Sequence, residues 1–103
     1  MLETTLDAQS ASDLDLLLRR CAEGDQSALR ALFEAEGSRM LGVAHRLLRR
    51  SSLAEEALQD TFVLIWRRAS TFDPARGDAR TWIYAVLRHR ALNILRGEAR
   101  FDL

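Results

Sequence analysis

Cysteine and proline are almost missing from this chain of 103 residues: there is one of each, Cys21 and Pro74. A single thiol excludes an internal disulfide and any metal site built from several thiolates. Lysine is missing altogether, so all 15 basic residues are arginine. No apolar run approaches the ~20 residues that a membrane-spanning helix requires. The N-terminus shows neither the basic start nor the apolar stretch of a signal peptide, and the expectation is a cytoplasmic protein. Strict alternation of apolar and polar residues is absent, which argues against a sheet. Also absent are a Gly-rich phosphate loop, a nucleophile elbow, and the His-Glu-x-x-His and Glu-x-x-His patterns. His45 has no carboxylate or second histidine at ligand spacing. No catalytic residue, metal ligand or cofactor is therefore expected, and the chain does not read as an enzyme.

What is present suits one modest core: 48% hydrophobic and 29% charged residues, the balance of a globular domain rather than a disordered one. The expected organisation is a lead-in over 1–11, one helical domain over 12–100, and the start of a linker over 101–103. Net charge is zero, but the zero hides a gradient. Residues 1–38 hold three arginines against eight acids, and residues 39–103 hold twelve arginines against seven. Clustered arginine suits phosphates and base stacking.

Helical periodicity recurs four times, predicting an all-α fold, a compact bundle of about four helices. The first helix runs over 12–23 from a cap at Ser12 or Asp13, with Leu14, Leu17, Leu18 and Cys21 buried. Gly24 and Asp25 break it and cap the second, over 26–49. The core face of that second helix is Ala28, Leu29, Leu32, Phe33, Met40, Leu41, Ala44, Leu47 and Leu48, with a kink expected near Gly37. Ser52 followed by Glu55 reads as a capping box opening the third helix. Ala54, Ala57, Leu58, Thr61, Phe62 and Ile65 form its apolar face, and Glu56, Gln59, Asp60, Val63 and Arg67 form another. Pro74 and Gly77 make 71–78 a loop. The fourth helix, over 81–96, has Trp82, Ile83, Val86, Leu87, Ala91 and Ile94 on its apolar side and Arg80, Tyr84 and Arg88 along a different one.

The ordered set Ala54-Glu55-Glu56-Ala57-Leu58-Gln59-Asp60-Thr61-Phe62, then Trp66, Phe72-Asp73-Pro74, Trp82-Ile83-Tyr84, Arg88 and Arg96 resembles region 2 of bacterial sigma factors of the extracytoplasmic-function (ECF) group. The resemblance implies that Glu56, Gln59, Asp60, Val63 and Arg67 meet the clamp helices of the β′ subunit of core RNA polymerase, with Phe62 and Trp66 fixing the helix from behind. It implies that the chain melts the promoter −10 element and holds a flipped base of the single non-template strand in the loop over 70–78. Thr71, Phe72 and Arg76 would act there, with Arg80, Tyr84 and Arg88 beside them on the last helix and Trp82 in the core. It also implies an anti-sigma factor covering part of 56–67 or 14–18, and a second DNA-binding domain that is not in this sequence. Ala79 stands where many relatives carry an aromatic, and His89 and Asn93 where many carry Asn and Asp. The competing readings are a helical adaptor or regulator domain with no nucleic-acid role, and a duplex-binding helix-turn-helix protein. The long connection over 71–78 suits the latter poorly.

Overall fold

The computed structural model describes residues 13–97. The lead-in over 1–11, the possible cap at Ser12, Arg100 and the linker over 101–103 lie outside the described residues. Within them the chain is all-α, with no strand.

Leu14, Leu18 and Cys21 fall on one side of the first helix, α1 (13–22), and all three are buried. Gly24 ends it in the left-handed region, at φ 88°, where a side chain would be strained. Asp25 then caps α2 (Gln26–Leu48), its Oδ1 accepting the Ser27 N–H at 3.0 Å and the Ser27 hydroxyl at 2.6 Å. The hydroxyl bond from Ser27 is the main reason that the Asp25 carboxyl is held below its ordinary range.

Every fourth residue of α2 is buried, from Ala28 through Leu32, Glu36, Met40 and Ala44 to Leu48. The period was legible; the carboxylate standing in it at 36 was not. α2 runs as one continuous helix through Gly37 and Gly42. A Cβ at Gly37 would meet the Phe33 ring at 3.4 Å, so this glycine makes room for the ring. Phe33 itself, expected in the core, is 48% exposed. The helix ends on Arg49, which takes φ 62° and donates its N–H to the His45 carbonyl at 2.9 Å.

With only Arg49 and Arg50 between the helices, α3 (Ser51–Arg68) begins before Ser52. The N-cap is Arg50, without a side-chain cap bond. The expected capping box therefore does not form, because Ser52 already lies inside the first turn. A 3₁₀ turn (Ala69–Thr71) follows, held by the Thr71 hydroxyl donating to the Arg68 carbonyl at 2.7 Å. After the loop, Asp78 caps α4 (Ala79–Leu95), accepting the Thr81 N–H at 2.7 Å. That helix starts two residues ahead of expectation. α3 packs against both α2 and α4, and α2 touches α4. Leu18, Leu32, Met40, Ile65, Ile83 and Leu87 fill the shared core completely.

Candidate functional site

Two surfaces of the bundle carry the residues singled out by the sequence. The first is the outer side of α3. Gln59 and Arg67 are exposed there, and Glu56 and Val63 are half-buried. Asp60 is not part of that surface. It is 1% exposed, and its Oδ2 accepts a bond from Arg90 Nε at 2.9 Å. The expectation of an exposed Asp60 is corrected for a plain geometric reason. Position 60 lies three residues after Ala57 and four before Leu64, on the edge of the buried stripe of α3. Arg90 occupies the matching place on α4, three residues beyond Leu87 and next to Ala91, both fully buried. Arg90 falls outside the apolar pattern of its helix; the signal for it is the pair of opposite charges on two core-facing stripes.

Beside this surface lies an apolar groove of about 450 Å³ between α2 and α3, walled by Leu29, Phe33, Phe62 and Trp66, with Gln26 and Arg30 also lining it. Phe33 stands edge-on to Phe62, ring centres 5.1 Å apart at 71°. Phe62 is buried as expected, whereas Trp66 is half-exposed to the groove. Gln59, Phe62, Val63 and Trp66 succeed one another at helical spacing, which makes groove and polar face one continuous strip.

The second surface is the loop and the start of α4. Asp73 organises the loop: its Oδ1 accepts the Ala75 N–H at 3.0 Å, and its carbonyl accepts the Arg76 N–H at 3.0 Å. The loop and helix enclose a cavity of about 280 Å³ whose walls include Thr71, Phe72, Arg76, Thr81 and Trp82. Trp82 lies at the edge of the core, packed against it rather than enclosed in it. It is half-buried and stands edge-on to Phe72, ring centres 5.9 Å apart at 61°. A second hollow of about 210 Å³ lies on its other side, towards Leu64, Arg68 and His89. Asp78 also lines the first cavity, and its carboxyl is held below the ordinary range by the Thr81 backbone N–H and then by the Thr81 hydroxyl.

Arg80, Tyr84 and Arg88 occupy the opposite edge of α4 from Trp82, Ala85 and His89, as a turn of 100° per residue requires. Arg88 is exposed. Arg80 instead gives its Nε to Glu36 Oε1 at 2.7 Å, and the two side chains are 31% and 4% exposed. Tyr84, expected on the nucleic-acid face, is half-buried, and its hydroxyl is buried with no hydrogen-bond partner among the described residues. Burial, aided by the Glu36 charge, raises that phenol above its usual range. Among the described residues no cluster of three or more His, Cys, Asp or Glu side chains could hold a metal ion. Nor is any helix there long and apolar enough to cross a membrane.

The profile of sigma-70 region 2 matches residues 32–101, which takes in most of α2, all of α3 and the loop, and α4. The chain belongs to the sigma-70 region 2 family. Its relatives are of the ECF group. It is 40% identical over 88 residues to the ECF RNA polymerase sigma factor SigK of Mycobacterium tuberculosis (strain ATCC 25618 / H37Rv), a match covering 85% of this chain and 47% of that protein. The SigK of Mycobacterium bovis (strain BCG / Pasteur 1173P2) matches equally. That of Mycobacterium sp. (strain KMS) is 38% identical over 87 residues, 84% of this chain and 45% of the relative. The chain thus spans about half the length of these relatives. In this region 2 the loop residues Thr71, Phe72 and Arg76 are brought together around one cavity, and Trp82 and Thr81 join them. Glu56, Gln59, Val63 and Arg67 remain along one helix, while Asp60, Arg80 and Tyr84 turn inward to other helices.

Proposed function

We propose that this region 2 is the part of an ECF sigma factor that binds core RNA polymerase and opens promoter DNA at the −10 element. The observation that carries the reading is the cavity between loop and α4, with Phe72 and Trp82 set edge-on in its wall and the exposed Arg76 at its margin. Drawing a base out of the duplex costs a few kcal/mol, which stacking on aromatic faces and contacts in a fitted recess can offset. A flipped base of the non-template strand is the occupant that such a recess suits. Arg76 offers a cation to the adjoining phosphates, and the exposed Arg88 offers another further along α4.

The strip formed by Glu56, Gln59, Val63 and Arg67 with the Phe33–Phe62–Trp66 groove is the surface for the β′ clamp helices. Its polar part supplies charge-assisted bonds and its apolar part an anchor. An anti-sigma factor that covers this strip would silence the protein by competition. The role is non-catalytic, performed in the cytoplasm where polymerase and promoter are.

The test is fluorescence anisotropy with single-stranded −10-like oligonucleotides, the chain being combined with core RNA polymerase. Binding of the −10-like strand at least tenfold tighter than of scrambled strands or of duplex, a gap of about 1.4 kcal/mol, is expected. Equal binding of all three would refute promoter melting by this region.

A further inference from the structure

The first two residues of α4 are each gripped by a carboxylate from another helix. Asp15 on α1 accepts the Ala79 N–H at 2.7 Å through Oδ1. Glu36 on α2 accepts Arg80 Nε at 2.7 Å through Oε1. The residues immediately around them, Asp78, Thr81 and Trp82, are walls of the loop cavity. Asp78 in turn holds the Thr81 N–H at 2.7 Å, so three carboxylates from three parts of the chain converge on one helical turn. Neither Asp15 nor Glu36 lines the cavity itself.

Glu36 is the more telling of the two. It interrupts an apolar stripe in which every other fourth residue is Ala, Leu or Met, and its side chain is only 4% exposed. A carboxylate there is unfavourable unless paired. What Glu36 adds is a fixed partner for Arg80, which stands between the wall residues Asp78 and Thr81. Asp15 adds a fixed partner for the backbone at 79, bridging 64 residues of sequence. A recess that must accept one base and refuse others gains from walls already set before the strand arrives, because ordering them on binding would weaken every base alike.

We propose that Asp15 and Glu36 are positioning residues for the base cavity: by holding Ala79 and Arg80 they set the pose of Thr81 and Trp82 against the loop. The inference rests on the reading of that cavity as the seat of a flipped base.

The experiment combines the chain with core RNA polymerase and measures competition among four single-stranded −10-like oligonucleotides that differ only in the flipped base. The readout is the ratio of affinities between the best and the worst base. Asp15→Ala should lower this ratio roughly threefold or more, and Glu36→Leu likewise. Leucine fits the apolar stripe, so Glu36→Leu remains informative should Asp15→Ala not fold. Asp15→Asn keeps an acceptor oxygen and should leave the ratio within about twofold of the unaltered chain. Trp82→Ala serves as the control for the cavity and should collapse the ratio.

If Trp82→Ala collapses the ratio but Asp15→Ala and Glu36→Leu leave it unchanged, the positioning role is overturned. A uniform loss of affinity for all four strands, with the ratio intact, overturns it equally, and so does a failure of Asp15→Asn to preserve the ratio. If Trp82→Ala itself leaves the ratio unchanged, it is the base-cavity reading that fails, and this inference goes with it.

Discussion

Asp60 and Arg90 carry opposite charges on the core-facing stripes of two different helices, and burial decides what each is for. At 1% and 3% exposure neither can meet a partner protein. Removing one partner of such a pair strands the other charge, which costs about 3–5 kcal/mol, a large part of the 5–15 kcal/mol that holds a domain folded. Asp60→Ala should therefore lower stability by that amount in chemical denaturation, whereas a surface residue would give a change within about 0.5 kcal/mol. The neighbouring Glu56 and Gln59 belong to the other class. Replacing both, as Glu56→Arg with Gln59→Ala, should leave the melting transition nearly unmoved while weakening capture of β′ in a pull-down at least tenfold, about 1.4 kcal/mol. Retention of wild-type β′ yield would move the polymerase surface elsewhere. The charged residues of the core that sequence reading misplaced or passed over share a cause. Periodicity marks a stripe by its apolar members, so Glu36, Asp60 and Arg90, charged residues inside stripes, were invisible as core until the facing helix was known. Trp82 differs: its place on the apolar side of the helix suggested the core, and it is half-buried at the core's edge, against Phe72 of the loop.

Helix ends show what chain connections impose on elements. Asp25 was readable as a cap because a carboxylate ahead of a periodic run has a ready backbone donor two or three residues on; Asp78, assigned to the loop, caps α4 in the same way. Ser52 looked as good, yet the two-residue connection after α2 fixes the start of α3 before it is reached. That same connection holds Arg49 at φ 62°, a left-handed conformation that costs a non-glycine residue about 1–2 kcal/mol. Arg49→Gly should relieve this and, after the entropy glycine adds to the unfolded chain, leave a gain of up to about 1 kcal/mol. For a domain of this size the melting temperature should then rise by up to about 4–8 °C. A fall in melting temperature would mean that the arginine makes contacts worth more than the strain. All four helices and the one long loop were legible in the sequence, because each is long and periodic or carries the single proline. Their boundaries were less so, since they depend on which donor a neighbouring element leaves unpaired. The Asp15 bond to the start of α4 is the plainest case.

At the scale of the whole molecule, one core closes over all four helices, and Cys21 reports on it. Burial, with the Asp25 charge nearby, pushes this thiol up from 9.0 to about 11. A folded-state value above the unfolded one favours the neutral thiol in the fold. The contribution is present in full below pH 9.0 and is lost as pH rises from there to about 11. Labelling of Cys21 by a thiol reagent at pH 8 should accordingly follow the rate of unfolding; labelling at the rate of a free thiol would show that the α1–α2 corner opens independently. The two surfaces proposed to be functional lie on different elements, the strip proposed for polymerase along α2 and α3 and the cavity proposed for the base at the loop and α4. A change in one should leave the other intact.

The measurement that bears most directly on the account is selection from a −10 library by core RNA polymerase carrying the chain with Phe72→Ala or Trp82→Ala. The base cavity predicts that preference is lost or altered at a single promoter position and kept at the others, with β′ binding unchanged. Preference identical to that of the unaltered chain in both variants would contradict it.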